Sequence, residues 1–511
     1  MSDWTDGYVA DIDYTYGYYP ELNPLRARLA LLNKGLALPG LSCACELGFG
    51  QGLSVNIHAA ASGTQWVGTD FNPAQAGFAQ SLAAASGSSA RLHDQAFTEF
   101  ANRSDLPDFD FVGLHGIWSW ISDDNRRVIV DLLRRKLKVG GILYISYNTM
   151  PGWAAFAPMR HLMALHAQTM GAPGIGTVSR VDNAIGFAEK LLATQPGFVR
   201  AQPQVTDRLA KLKGQNRHYL AHEYFNADWQ PMHFATMADW LAPAKLGYAC
   251  SANYLDHFDG FNFKAAQQTL LKEIPDAVLR ETTRDFILNQ QFRRDYWVKG
   301  PRRLAALDQA QSWRQQSVLL CTRRADVPLK IKTALGEATM SESVYAPILD
   351  LLADHQARTL TLIEQELKDQ RVQLNQIKEA VLLLVSAGHM ALAQDAPSIA
   401  NAKPHTERLN AQLLGQARSS SDIAYLASPV TGGGVPLGRF QQLFLSAQKQ
   451  GLKLPVEWAD AAWQTLNAQN QRVIKDGKAL DSAEKNLAEL SSQAGSFAEQ
   501  KLAVLQALQI A

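Results

Sequence analysis

Short apolar runs alternate with amphipathic stretches through the first third of the chain. Residues 41–47 (LSCACEL), 64–70 (TQWVGTD), 90–94 (ARLHD), 109–116 (FDFVGLHG) and 140–148 (GGILYISYN) are short and apolar, the pattern of strands covered on both faces. Between them, residues 53–62, 73–86 and 124–139 carry helical periodicity. An earlier helix is predicted over 23–36, with Pro24 in its first turn. Strand and helix in strict alternation predict βαβ units and a parallel sheet.

The alternation stops at Met150. Residues 151–230 read as a helical insertion, 233–254 as a returning helix and strand, 264–290 as helical and 291–300 as the last strand of the sheet. Beyond 300 the composition changes. Residues 316–324 form a predicted strand, and short helices over 341–367 and 374–387 end at Gly388 before a wing. Residues 345–394 therefore read as winged-helix-like. Residues 429–438 (PVTGGGVPLG) form a Gly/Pro-rich loop, and the tail from Pro455 is amphipathic and helical.

Composition narrows the function. Apolar residues make up 47% of the 511, enough for a sizeable core. The net charge is +1, which argues against a partner bound through nucleic-acid backbone. Four cysteines make no disulfide framework, and their spacing suits no metal. Cys43 and Cys45 read as strand residues. The N-terminal stretch is acidic and aromatic, without the basic and apolar regions of a signal peptide. The longest apolar stretch, near 380–393, is interrupted by His389 and too short to span a bilayer. The expectation is a soluble cytoplasmic protein with no membrane partner and no metal.

The strongest chemical signal is Glu46-Leu-Gly48-Phe-Gly50-Gln-Gly52, after a predicted strand and opening a helix. Such a turn brings backbone close to a ligand and aims helix N–H groups at it. Asp70 ends the next strand, where an acid can accept hydrogen bonds from ribose hydroxyls. A dinucleotide fingerprint needs Gly or Ala at 53 or 55, where Leu53 and Val55 stand, and the Gly-Lys-Ser/Thr of a phosphate-binding loop is absent.

The pattern resembles the first motif of class I S-adenosylmethionine (SAM) methyltransferases, whose ligand has no phosphate. Further segments fall in step: Asp70-Phe71-Asn72, His93–Phe97 (HDQAF), LHGIWSW and LKVGGILYISYN. The resemblance implies that Glu46, Gly48, Gly50, Gly52, Asp70, Phe71, Asn72, Asp94, Phe97 and His115 hold the cofactor. Asp70 would bind the ribose, Phe71 pack on adenine, Asp94 meet the adenine amine and His115 lie beneath the methionine moiety. YTYGYYPELNP, ELGFGQG, LHGIWSWISDDNR, YISYNTMPGW and HEYF together resemble a bacterial group with a methyltransferase regulatory domain. That group includes lysine methyltransferases of outer-membrane proteins. Its members carry His-Pro where this chain has Asn23-Pro24.

The expected fold is α/β: a Rossmann-like class I methyltransferase sheet with helical insertions, plus a mainly α C-terminal region with a winged-helix-like part. Expected divisions are an arm or lid (1–40), a SAM-binding core (41–150), the insertion (151–230), the rest of the methyltransferase and regulatory region (231–300), the winged-helix-like part (301–428) and a helical end (429–511). Tyr14, Tyr16 and Tyr19 are candidates for a flap over the cofactor, or for a packed arm. Trp118, Trp120, Tyr147, Asn148 and Trp153 follow the fourth and fifth strands, where they could wall an acceptor ammonium, stack on a sugar or pack under the insertion. His222, Glu223 and Tyr224 of AHEYF offer a general base and a substrate contact, or a structural pair. The basic helix at 124–139 reads as a solvated face. The acceptor expected from the resemblance is a protein lysine. A glycan or small metabolite, or a SAM-sensing regulator without catalysis, are the alternatives. The C-terminal helices either pair two copies into a homodimer or dock on the catalytic domain.

Overall fold

The computed structural model describes residues 12, 14–171 and 174–511. Seven strands form one sheet: β1 (Cys43–Leu47), β2 (Gln65–Thr69), β3 (Arg91–His93), β4 (Phe109–Leu114), β5 (Leu137–Asn148), β6 (Leu246–Ser251) and β7 (Phe292–Lys299), in the order β3-β2-β1-β4-β5-β7-β6. β1 to β5 run parallel, and β7 lies antiparallel between β5 and β6. Register pairs Asn148 at the end of β5 with Phe292 at the start of β7. One edge of the sheet therefore collects the ends of β1, β4, β5 and β6 and the beginning of β7. In open α/β sheets this is the edge that takes ligands.

The strands are apolar on both faces because both faces are covered. Trp66, Phe111, Tyr144 and Tyr296 are buried on one side. Cys45, Val67, Val112, Ile145 and Trp297 are buried on the other. Cys43 and Cys45 are free, buried strand residues, as their setting suggested.

The insertion has its own small core, built around Phe156, Met163, Ile185 and Leu209 from the helices Ala157–Thr169, Thr177–Ala193 and Gln204–Lys213 and the turn before them. The 264–290 stretch is two helices, Ala265–Glu273 and Ala277–Leu288. The helix Asp123–Lys136 departs from a purely solvated basic face. Arg126 is 2% exposed, and its guanidinium donates to the Trp118 carbonyl at 3.0 and 3.1 Å and to Gln230 at 2.7 Å. It ties down the turn after β4.

Beyond 300, Ser317–Leu320 pairs antiparallel with Arg358–Thr359 and Met390–Ala393, beside the helices Glu342–Leu351, Leu360–Glu366 and Leu374–Ser386. The segment after Gly388 carries a single strand and then enters the helix Ala396–Gln416, where the sequence suggested a wing. That helix docks on the helices Leu53–Ala61 and Pro73–Ser86, with Arg408 Nε donating to the Ser86 carbonyl at 2.9 Å.

The Gly/Pro-rich stretch is more ordered than a loop. It supplies the turn and second strand of the hairpin Tyr425–Ser428/Gly433–Pro436. The hairpin closes on the N-terminal arm. Asn23 Nδ2 donates to the Thr431 and Gly432 carbonyls at 3.4 and 3.3 Å, and a side chain on Gly433 or Gly434 would collide with Tyr18. Asn23 also caps the helix Pro24–Asn33 by accepting from Leu25 N.

Candidate functional site

The site grows from the turn after β1. Gly48, Gly50 and Gly52 all have positive φ, a conformation that strains any residue with a Cβ. Two are also sterically fixed. A Cβ on Gly48 would run into Ile117, and one on Gly52 into Ala79. The turn is tied to β2: Gly48 N donates to the Thr69 carbonyl, and Gly50 N to Asp70 Oδ2 at 2.8 Å. Asp70 Oδ1 accepts from Asn72 N at 3.0 Å. Burial raises the Asp70 carboxyl to about 6 even against these two donors, which favour its charge.

Beside the turn lies a cavity of about 330 Å³. Tyr14, Tyr19, Glu46, Gly48, Gly50, Asp70, Phe71, Phe97, His115 and Trp120 line it, so ten sequence candidates meet at one place. Its electrostatics are one-sided. Glu46, Asp70 and Asp228 line it, and no Lys or Arg does among the described residues. Glu46 is 3% exposed, and its Oε2 has no hydrogen-bond partner. Burial, helped by the nearby Asp70 charge, pushes its carboxyl up to about 8. A cationic group in the cavity would satisfy that oxygen and restore its charge.

His115 sits at the end of β4 with its ring stacked on Tyr19, centroids 3.6 Å apart. Its Nδ1 lies 2.8 Å from the Tyr144 hydroxyl. Burial, aided by the Arg294 charge, lowers it to about 3, so the imidazole stays neutral beside the cavity. Tyr19 is anchored through its backbone N–H to Ser54 Oγ at 2.9 Å. Tyr14 lines the same wall and meets the His222 ring edge-on at 5.0 Å.

Glu223 lies near this wall. Its carbonyl accepts from Trp120 Nε1 at 3.3 Å, and its charge adds to the rise that burial imposes on the phenols of Tyr19 and Tyr219. Burial pushes its own carboxyl up to about 7.

Other sequence candidates sit elsewhere. Asn72 caps the helix Pro73–Ser86, accepting from Ala74 N and Gln75 N. Gly52 caps the helix Leu53–Ala61 from behind the cavity. Tyr16 packs edge-on against Phe78, towards the C-terminal core. Asp94 is exposed and outside the lining, whereas Gln95, Ala96 and Phe97 are in it.

Several aromatic candidates are packing residues. Trp118 is fully buried against Trp240 under the sheet. Tyr147 is fully buried, and its hydroxyl donates to Asp295 Oδ2 at 2.9 Å. Asn148 is buried and receives Met232 N on its carbonyl. Trp153 and Tyr224 belong to the core of the insertion, with the Arg208 guanidinium 3.9 Å over the Trp153 ring. His222 is 3% exposed. Sequence reasoning missed Phe49, Gln75, Ile117, Asn125 and Asp228, all in the lining. Asp228 lies in the irregular segment at the end of the insertion and belongs to no periodic pattern.

Residues 216–299 match the family model described as a predicted methyltransferase regulatory domain. An uncharacterized protein of Synechocystis, sll1526, is 37% identical over 512 residues, covering 99% of each chain. This chain belongs to the methyltransferase regulatory-domain family. The uncharacterized protein RP789 of Rickettsia prowazekii is 27% identical over 193 residues, 36% of this chain and 33% of that one. PKMT2 from Rickettsia typhi, solved in complex with AdoHcy, shares 15% identity at a TM-score of 0.68, covering 95% of this family member and 98% of PKMT2. A second PKMT2 structure gives 17% and 0.69, covering 96% and 99%. The fold of this family member is thus that of PKMT2 over nearly its whole length, with the Rossmann-like methyltransferase sheet lying within residues 43–299.

Among the described residues no helix is long and apolar enough to cross a membrane, and no cluster of His, Cys, Asp and Glu could hold a metal.

Proposed function

We propose that this chain transfers a methyl group from SAM to a lysine side chain of a protein. The observation that carries the cofactor is the charge of the cavity: three carboxyl groups, no Lys or Arg, and a buried Glu46 oxygen without a partner. A phosphate-bearing cofactor is disfavoured there, whereas a net cation is favoured. In this reading Asp70 accepts from the ribose hydroxyls through its remaining lone pairs. Phe71 and Phe97 cover the adenine, Glu46 meets the ammonium, and neutral His115 avoids repelling the sulfonium. Bound SAM supplies a methyl group on a sulfonium, a leaving group that needs no acid.

The acceptor reading rests on the wall around Tyr14, Tyr19, Trp120 and Asp228, with Glu223 close to it. Aromatic faces and carboxylates suit an incoming ammonium. An aqueous lysine titrates near 10.4 and must lose a proton before its nitrogen can attack. Burial lowers an ammonium and has already raised Glu223 to about 7, so the two groups are brought closer in proton affinity. Glu223 would take a proton from the ammonium first, leaving a neutral amine whose lone pair could then attack the methyl group that bound SAM would supply. The resemblance to lysine methyltransferases supports the same acceptor.

The test is label transfer from methyl-labelled SAM into extract of the source cells, with Asp70→Ala as control. Label in protein, released as methyl-lysine on hydrolysis, is the expected result. Label confined to glycan or metabolite fractions would reassign the acceptor, and cofactor binding without transfer would indicate a regulator.

A further inference from the structure

A second cavity, of about 570 Å³, opens where the end of β6 and the start of β7 meet the helices Ala265–Glu273 and Ala277–Leu288. It shares no lining residue with the first. Nearly all of its wall falls within 216–299, the span of the regulatory-domain match.

Its floor is a closed ionic network. Arg293 is buried and pairs with Asp285 at 2.6 Å, Asp295 at 2.8 Å and Glu281 at 3.1 Å. Arg284 pairs with Asp259 at 2.6 Å, and Asp256 accepts from Ser251 and Asn253. Each acid of the wall thus has at least one partner in the protein, although Asp285 Oδ2 has none among the described residues.

The rim differs. Lys34, Lys272, Arg280 and Arg303 all line the cavity, and none has an acidic group within ion-pair distance among the described residues. Arg280 spends one N–H on the Ile274 carbonyl at 3.0 Å and leaves the rest of its guanidinium uncommitted. Arg294 lines the cavity too, its charge balanced from outside by Glu21. The lining holds seven basic groups against five acids, and four of the cations on this concave polar surface make no ion pair among the described residues, an arrangement that an anion relieves.

We propose that this cavity binds a small multivalent anion, a metabolite bearing carboxylate or phosphate groups, through Lys34, Lys272, Arg280 and Arg303. The planar guanidinium groups of Arg280 and Arg303 suit bidentate contact with either chemistry. The site is separate from the methyl-transfer cavity and stands whether or not the lysine reading does.

Calorimetry of the full chain at fixed ionic strength tests it, with citrate and pyrophosphate as probes. Saturable one-to-one binding of at least one probe is expected, and which one binds tells carboxylate from phosphate. In the double variant Arg280→Gln/Arg303→Gln, affinity falls at least about tenfold, the effect of losing a charge-assisted hydrogen bond. Lys34→Gln alone weakens binding in the same direction. Removing two exposed charges elsewhere, Lys453→Gln and Lys478→Gln, leaves it unchanged. AdoHcy binding by every variant checks that it is folded. No binding of either probe at millimolar concentration, undiminished binding by the double variant, or an equal loss in the distant variant would each overturn the proposal.

Discussion

Glu46 gives a sharp quantitative expectation because its burial and its missing partner act together. In the empty cavity its carboxyl titrates near 8, raised from 4.5 by burial and by Asp70. At pH 7 about 0.9 of these groups hold a proton. A bound ammonium brought against Oε2 drives the group back to carboxylate, so cofactor binding should release close to one proton at pH 7. Asp70, titrating near 6, adds about 0.1 at most. Titration calorimetry in buffers of different ionisation enthalpy reads this number as the slope of observed heat against buffer enthalpy. Glu46→Gln should abolish the slope and weaken binding by about 1.5–3 kcal/mol, roughly tenfold to a hundredfold. The unfolding data should agree in sign. The native apo state keeps a proton that the unfolded chain loses between pH 4.5 and about 8, so this group costs stability as pH rises through that window. The cost accrues at up to about 1.4 kcal/mol per pH unit, and the Gln variant should escape it. A slope near zero in the wild type, or an equal slope in Glu46→Gln, would refute the argument.

Other expectations follow from particular contacts. Glu223→Gln should lower kcat by about a hundredfold or more and remove the limb of the pH–rate profile that rises near pH 7, while AdoHcy affinity is kept. Tyr147→Phe should cost about 1–2 kcal/mol in urea unfolding through loss of its bond to Asp295, with methyl transfer nearly unchanged; a collapse of kcat at unchanged stability would return Tyr147 to the reacting groups. Gly52→Ala should destabilise by about 2–4 kcal/mol, combining a positive φ with a collision against Ala79, measured by urea unfolding.

The turn and the sheet were legible because their signals are local. Three glycines at alternate positions, an acid at the end of the following strand and the period of apolar runs need no knowledge of distant chain. The aromatic residues were less so. Trp118 and Trp120 are two residues apart in one short turn, yet one is sealed under the sheet and the other borders the cavity. Which indole goes where is decided by Arg126 gripping the Trp118 carbonyl and by Trp240 packing on its ring, contacts with no sequence signature. Tyr147 looked like a substrate residue from its place at the end of β5, but the antiparallel return of β7 sets Asp295 against its hydroxyl. Asp228 escaped because an acid in an irregular connection looks the same whether it faces a ligand or water. The Gly/Pro-rich stretch read as a loop because its strand is short and its pairing shows only when the hairpin closes.

That hairpin bears on the order in which the molecule is completed during synthesis. It holds the arm carrying Tyr18, and next to it Tyr19, through bonds between residues 408 and 409 positions apart. Translation runs from the N-terminus, so the arm leaves the ribosome long before Thr431 and Gly432 exist to grip it. A nascent chain can form the nucleotide fold around Gly48–Gly52 and still lack the fastening of its cofactor wall. Timing is then set by chain length: these contacts of the arm can form only once the chain has been made as far as residue 432.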